Sequence, residues 1–398
     1  MAAGKARTKK VPRAKRVAPK VKVLGQPSWK ITCGDVEAHV SEAGGMLAPV
    51  TFDRRGRKIR PFSIAPWATE KLDRSTPLII AGLRGDFFCM PFGGNDAAFG
   101  RERHPIHGET ANANWKFESI TRAKGECTLH LSLHTKIRTG RVDKTITLRD
   151  GHPAIYSRHL VSNLRGPMPL GHHAMLKFPE EPGSGIVSTS PFVYGQVFPG
   201  AFENPEQGGY QSLPPGAQFE SLEAVPMISG EVADLTRFPA RKGFEDLVMV
   251  VSSPEVPFAW TAVSFPKQRY VWFALKDPKV LRETVFWFSN GGRHFAPWNG
   301  RHTAVLGLEE ITGNFHYGLA ESAQPNPIAA QGFPTFIDFT GMPVEVNTIM
   351  VCVPTPAGFD RVASIEEAEP GKSVVVRSDS GKSVQVPLHA EFLNGQSA

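Results

Sequence analysis

The chain has 398 residues, with 45 Lys and Arg against 38 Asp and Glu, which gives a formal charge of +7. Residues 1–22 contain nine of the basic residues and no acidic residue, so the rest of the chain is close to neutral. A nucleic-acid-binding domain would need a basic face of its own, and this balance argues against one. The 38 Gly and 34 Pro residues exclude a mostly helical protein, because both residue types weaken helix interiors.

The N-terminal segment, residues 1–22, is rich in charge and poor in large apolar residues, which predicts a disordered basic tail. No apolar stretch follows this segment, so no secretory signal is expected. The sequence contains no run of 18 apolar residues, so no membrane-spanning helix is expected either. Any weak contact with nucleic acid would be confined to this tail. The cysteines are too far apart to form a CxxC pair, which favours free thiols and a cytoplasmic location; they are Cys33, Cys89, Cys127 and Cys352.

After residue 22 the predicted elements are almost all strands. Residues 127–134 alternate apolar and polar side chains, which is typical of a half-buried strand. Residues 142–149 and 154–161 flank Asp150-Gly151, which indicates a hairpin. Further strands are predicted at 247–252, 258–265, 270–275, 284–288, 304–309, 336–339, 344–353, 373–377 and 383–388.

One helix is predicted, over residues 361–369, because Pro370-Gly371 would end it. The sequence has no repeat of 40–50 residues, which argues against a propeller. The nearly continuous series of strands therefore favours a single antiparallel β-sandwich domain over residues 23–398.

Polar and aromatic residues gather in loops and at strand ends, where binding sites are commonly built. In chain order these segments are residues 83–95, residues 105–108 with Trp115, residues 171–175, residues 243–247 and residues 287–310.

The order of these segments resembles that of the galactose mutarotase (aldose 1-epimerase) superfamily. Its members carry a Pro-x-His-Gly segment with a downstream Trp, a His at a mid-chain strand, a Gly-aromatic-acid turn and a Glu that ends a Leu-Glu strand. The resemblance implies an all-β fold, a large antiparallel β-supersandwich, and an isomerase that interconverts the anomers of a free sugar. The counterparts in this chain are Pro105-Ile106-His107-Gly108 with Trp115, then His173, then Gly243-Phe244-Glu245-Asp246, and finally Leu308-Glu309.

The resemblance also implies roles for single residues. Mutarotation needs a base for the C1 hydroxyl proton and an acid for the ring oxygen. Glu309 would be the base and His173 the acid, with the adjacent His172 as the alternative acid. His107 would hydrogen-bond the sugar and help to polarise its ring oxygen, and no cofactor is implied. The residues implied in binding the sugar are Arg84, Asn95, His172, Glu245, Asp246 and Trp298.

Other interpretations remain open. The same fold could serve a non-catalytic carbohydrate-binding or sugar-sensing protein, or a domain of a polysaccharide lyase. The His172-His173 pair or His104-x-x-His107 could bind a metal ion, but neither has the further ligand spacing of a known zinc motif. Each candidate side chain also has a structural alternative, such as a turn acid, a loop-capping histidine or a core tryptophan.

Overall fold

The computed structural model describes residues 19–395, so most of the predicted basic tail lies outside the described residues. Residues 21 and 22 of that segment already belong to the first strand. The strands, in chain order, are β1 (Val21–Val23), β2 (Gln26–Cys33), β3 (Val36–Ser41), β4 (Leu47–Thr51), β5 (Phe88–Cys89), β6 (Lys116–Ala123), β7 (Glu126–Thr135), β8 (Gly140–Arg149), β9 (Ala154–Ser162), β10 (Arg165–Met168), β11 (Leu170–His172), β12 (Ala174–Lys177), β13 (Gly185–Thr189), β14 (Phe192–Val197), β15 (Val225–Pro226), β16 (Val232–Ala233), β17 (Arg237–Phe238), β18 (Phe244–Ser252), β19 (Ala259–Phe265), β20 (Tyr270–Lys276), β21 (Glu283–Asn290), β22 (Val305–Thr312), β23 (Ile337–Thr340), β24 (Val344–Pro354), β25 (Val362–Glu369), β26 (Ser373–Ser378) and β27 (Ser383–Pro387).

The helices are short, and all but the last lie between strands. They are α1 (Leu78–Gly82), α2 (Gly108–Asn112), α3 (Leu319–Ala323) and the 3₁₀ turns Pro205–Gln207, Ala329–Gln331 and Ala390–Asn394. None of the helices in residues 19–395 has the length and apolar character that crossing a bilayer requires.

Two large antiparallel sheets form the body of the molecule. One sheet has nine strands in the order β17-β13-β19-β20-β24-β9-β8-β7-β6. The other has seven strands in the order β14-β18-β21-β22-β11-β5, with β12 also paired to β22. The predicted hairpin corresponds to β8 and β9, which pair antiparallel. The predicted all-β antiparallel class is therefore confirmed.

The main core lies between the two large sheets. Trp272 of β20 and Met350 of β24 belong to the same buried apolar cluster as Phe286 and Phe288 of β21. Side chains alternate along a strand, so Trp287, which lies between these two phenylalanines, points to the opposite, outer face of the seven-stranded sheet and joins a second cluster. That outer face carries the candidate site.

The C-terminal residues form a small sheet of their own. The helix predicted over residues 361–369 is wrong, because this segment forms β25 and pairs with β26. Val362 and Ile365 are buried in the third apolar cluster, with residues of the nine-stranded sheet such as Phe273. Helix propensity is a weak local preference that strand pairing and burial override. The sheet β25-β26-β27 therefore covers the outer face of the nine-stranded sheet.

The four cysteines are free thiols, as their spacing predicted. Cys89, Cys127 and Cys352 are buried, and Cys33 is partly exposed.

Candidate active site

A cavity opens on the outer face of the seven-stranded sheet, with about 450 Å³ of empty space counted to its open mouth. Its walls combine the aromatic side chains of Phe87, Phe202, Trp287 and Trp298 with isoleucine and leucine side chains in and around α1. The polar side chains that line it are His107, His173, Arg293, Glu309 and His316.

Glu309 and His173 meet across neighbouring strands in this cavity. Oε1 of Glu309 lies 3.1 Å from Nε2 of His173. Glu309 belongs to β22, and His173 follows β11 directly and precedes β12, both of which pair with β22. Main-chain hydrogen bonds of the sheet therefore set the separation of the two side chains.

Strand alternation separates the two adjacent histidines. His173 faces the cavity and stacks on Phe87, with ring centroids 4.6 Å apart. His172 faces the core, where its Nδ1 lies 2.9 Å from Asp86 and its Nε2 lies 3.2 Å from the hydroxyl of Thr348. Of these two histidines, only His173 lines the cavity.

Burial controls the protonation of the pair. Burial raises the pKa of the Glu309 carboxyl well above its usual range, against the opposing charge of Arg293. Burial, with a smaller contribution from His316, lowers the pKa of His173 to about 3. Oε2 of Glu309 and Nδ1 of His173 are buried and find no hydrogen-bond partner among residues 19–395. Since buried polar atoms are usually paired, these atoms are free to receive a polar ligand.

His107 stands beside this pair at the start of α2. Its ring centroid lies 5.0 Å from that of His173 and 5.1 Å from that of His316. Its φ of 57° lies in the left-handed region, which is uncommon for a residue other than glycine and is often found at functional sites. Burial, aided by the neighbouring histidines and Arg293, lowers the pKa of His107 well below its usual range. The His107 ring is therefore neutral; its Nδ1 accepts from the amide of Gly93 at 3.4 Å, which leaves Nε2 as the hydrogen-bond donor.

Arg293 and His316 line the cavity, although neither is among the site residues predicted from the sequence. Arg293 follows the turn at Gly291, whose φ of 86° favours glycine. In the sequence, the only indication of Arg293 was that it lies in the polar and aromatic segment 287–310. No motif gave this arginine a role. His316 lies between Phe315 and Tyr317, in a segment that no motif marks.

Arg84 and Asn95, which the resemblance implied in sugar binding, lie outside the cavity. Arg84 is fully buried, and its guanidinium donates to the carbonyl oxygens of Gly82, Val23 and Leu24. The Asn95 amide donates to carbonyl oxygens of its own loop, and its oxygen accepts from the amide of Leu319. As a correction to the sequence-based placement, both side chains hold loops together and have their polar groups occupied.

The acidic turn lies behind the cavity wall. Glu245 accepts hydrogen bonds from Nε1 of Trp287 at 2.9 Å and from the amide of Gly292 at 3.0 Å. Burial raises the pKa of Glu245 to about 7. Asp246 is also buried and accepts from the amide and hydroxyl of Ser212. Neither acid lines the cavity. Glu245 can affect the cavity only indirectly, through its hydrogen bond to Trp287. Asp246 has a structural role, because its carboxylate binds Ser212.

The histidine pairs considered for metal binding do not form a metal centre in the described ranges. No group of three or more His, Cys, Asp or Glu side chains there has an arrangement that could hold a metal ion. His104 instead pairs with Glu102 at 2.9 Å.

Comparison with known proteins identifies the fold. No protein-family model matches the sequence, and a search of curated proteins finds no match either. A galactose mutarotase-like protein from Clostridium acetobutylicum is similar in structure, with 10% identity and a TM-score of 0.58 over 84% of this chain and 98% of that chain. A galactose mutarotase related enzyme from Lactobacillus acidophilus is similar with 12% identity and a TM-score of 0.52 over 82% and 98%. The predicted β-supersandwich of the galactose mutarotase type is confirmed, and at these identities the likeness concerns the fold alone.

Proposed function

We propose that this chain, which has the galactose mutarotase-like fold, is an aldose 1-epimerase-type isomerase that interconverts the anomers of a sugar. One observation carries the proposal: the carboxyl of Glu309 and the imidazole of His173 lie 3.1 Å apart in a cavity lined by aromatic and polar side chains. A carboxylate and an imidazole are suited to the proton transfers that opening a sugar ring requires. The sugar is the partner that we propose for this cavity.

The pair can supply base and acid together because it shares one mobile proton. Burial favours the uncharged form, in which the proton is on Glu309 and the His173 ring is neutral. Transfer of that proton across the 3.1 Å contact gives a carboxylate and an imidazolium. Both forms have no net charge, so the interchange suits a buried site better than the gain of a single charge would.

In the proposed reaction Glu309, as the carboxylate, takes the proton of the C1 hydroxyl. The electron pair of that O–H bond forms the carbonyl at C1, and the bond from C1 to the ring oxygen breaks. The ring oxygen receives the proton of the His173 imidazolium. Rotation about the C1–C2 bond and closure by the reverse steps give the other anomer, and Glu309 and His173 return to their starting states.

The surrounding side chains orient the sugar in this scheme. The neutral ring of His107 hydrogen-bonds the sugar near its ring oxygen. Trp298 and Trp287 are buried aromatic walls of the cavity and offer flat surfaces to the C–H face of the sugar.

Exchange between α and β anomers, measured by NMR for a panel of aldoses, tests the proposal. We expect Glu309→Gln and His173→Ala to slow the catalysed exchange by about 10²- to 10⁴-fold. Glu255→Gln, the same change at an exposed glutamate, is the control. Full activity of both site variants would contradict the roles assigned here. Sugar binding by the unaltered protein without faster exchange would favour the non-catalytic sugar-binding alternative.

A further inference from the structure

We propose that the sugar bound in this cavity carries a carboxylate, as uronic acids do, and that Arg293 binds that carboxylate. This inference rests on the proposed function and adds the chemical class of the substrate. It starts from Arg293, a charged residue of the cavity wall that the proposed proton transfers do not use.

The surroundings of Arg293 fix its guanidinium and leave one edge open. Its Cζ atom lies 4.7 Å from the ring centre of Trp298 and 5.3 Å from those of Trp287 and Phe202. Its Nε donates to Oε1 of Glu203 at 2.7 Å. Within residues 19–395, this is the only hydrogen bond of the side chain, so both terminal Nη groups lack a partner. Aromatic rings cover the guanidinium and Glu203 holds it in place, while the Nη donors remain available to a ligand in the cavity.

Charge in the cavity favours an anionic ligand at this edge. Among the lining side chains of the described chain, Arg293 alone carries a permanent charge. Burial together with this charge lowers the pKa of His107 well below its usual range and that of His316 to about 4, so both rings are neutral. Glu203 neutralises the guanidinium only from the Nε side. A ligand carboxylate would therefore meet two free donors of a charged group in a site where water is scarce.

The shape of the available donors favours a carboxylate over a phosphate. A guanidinium is a planar fork that matches the two oxygens of one carboxylate. A phosphate dianion would carry more charge than one arginine can balance, and no second Arg or Lys lines the cavity in the described residues. The lining also includes Ile79, Ile80 and Leu83, which cannot stabilise surplus charge. A single negative charge on a sugar ring fits these constraints.

Binding of methyl glycosides tests the inference without turnover, because a methylated anomeric oxygen blocks ring opening. Calorimetry should compare the methyl glycosides of glucuronic and galacturonic acid with methyl glucoside, methyl galactoside and methyl glucoside 6-phosphate. We expect the uronic acid glycosides to bind at least about tenfold more tightly than the neutral glycosides, since hydrogen bonds between charged groups are the stronger class. Arg293→Gln should abolish this preference, so that acidic and neutral glycosides bind it with similar affinity.

Two further variants guard this test. Arg293→Lys keeps the charge and removes the fork, so it should lose most of the preference even if Arg293→Gln does not fold. Glu255→Gln, an exposed change, should retain the preference in full. Circular dichroism and the thermal midpoint show which variants are folded.

Several results would overturn the inference: equal affinity for acidic and neutral glycosides, a preference that survives both Arg293 variants, tighter binding of the 6-phosphate, or no binding of any glycoside. Its failure is distinguishable from failure of the proposed function. An Arg293-dependent preference without faster anomer exchange of free uronic acids would contradict the isomerase and support the ligand class. Rapid anomer exchange of neutral aldoses without binding of uronic acids would support the isomerase and contradict the ligand class.

Discussion

At the scale of single residues, the cavity concentrates polar atoms that the fold itself leaves unpaired. Oε2 of Glu309 and Nδ1 of His173 have no hydrogen-bond partner in the described residues, although both are buried. An unpaired buried polar group costs about 1–3 kcal/mol. By contrast, the neighbouring Glu310 faces the core and is paired with Lys276 at 2.6 Å and with two threonine hydroxyls. The contrast between adjacent glutamates marks the outer face as the one suited to a ligand.

Glu245 provides a residue-scale prediction about pH. Its pKa is about 7 in the folded chain against an ordinary value of 4.5, so the folded state holds a proton that the unfolded state releases between these values. Folding stability from this group is therefore present below about pH 4.5 and is lost as the pH rises to about 7. Glu245→Gln cannot ionise, so its stability relative to the unaltered protein should improve by up to about 3 kcal/mol between pH 5 and pH 8.

Urea unfolding of both proteins at the two pH values measures this difference. Any hydrogen bond that Gln cannot reproduce weakens the variant at both pH values alike and drops out of the comparison. Glu255→Gln makes the same change at the surface and serves as the control. A stability difference that is the same at pH 5 and pH 8 would contradict the raised pKa of Glu245.

At the scale of elements, the close pairing of β11 with β22 holds the reactive pair in place. Gly171 of β11 lies so close to β22 that a Cβ atom on it would stand 2.3 Å from the carbonyl oxygen of Glu310 and 2.6 Å from Cα of Ile311. Both are main-chain atoms that cannot move aside without shifting a strand. The absent side chain is thus what allows His173 to approach Glu309.

Gly171→Ala should therefore push β11 away from β22. We expect a loss of more than about 2 kcal/mol in unfolding free energy, in the range for overpacking of a tight core. Anomer exchange should fall more than the unfolded fraction explains, because the contact between His173 and Glu309 would widen. Gly82→Ala is the matched control, since its Cβ would have no neighbour nearer than 3.7 Å. Unfolding and anomer exchange are measured on the same preparations. A Gly171→Ala variant that behaves like Gly82→Ala in both measurements would contradict this prediction.

The elements also show which features a sequence can predict. The strands of the second half were predicted within a few residues because their apolar runs are buried in sheets, as in β19 and β24. The C-terminal strand β25 was mistaken for a helix because its pairing with β26 and its burial against another sheet are not local properties.

The site was predictable only in part. The structure brings Glu309, His173, His107 and Trp298 to one cavity, and their roles stay a prediction. Arg84 carries the same charge as a sugar-binding arginine would, but its partners are three carbonyl groups that the sequence does not reveal. The cavity arginine is instead Arg293, whose position depends on how the loop after β21 returns over Trp287.

At the scale of the whole molecule, the charge of the chain resides largely outside the described body. Residues 2–18 contain seven Lys and Arg and no Asp or Glu, so removing them brings the formal charge from +7 to zero. The sheets, the cavity and the proposed reaction all lie in residues 19–395. We therefore expect the two parts of the chain to have separable properties.

Deletion of residues 2–18 should abolish the binding of a DNA oligonucleotide at low salt. In the full chain this binding should weaken steeply between 50 and 200 mM salt, because it would depend on counterion release. Anomer exchange and the thermal midpoint should be the same with and without the segment. Fluorescence anisotropy with a labelled oligonucleotide measures the binding, and DNA binding that persists after the deletion would place a nucleic-acid surface on the folded body.

The reactive pair and the walls of the cavity come from different kinds of structure. Glu309 and His173 are held by paired strands, whereas Arg293, Trp298, Phe202 and His316 lie in connections between strands. Loops tolerate replacement better than the sheets that carry them. Substrate preference in this scaffold could therefore be redesigned by exchanging loops while the proton-transfer chemistry is retained. A library randomised at the four loop positions, with β11, β12 and β22 unchanged, would be the natural starting point for such engineering.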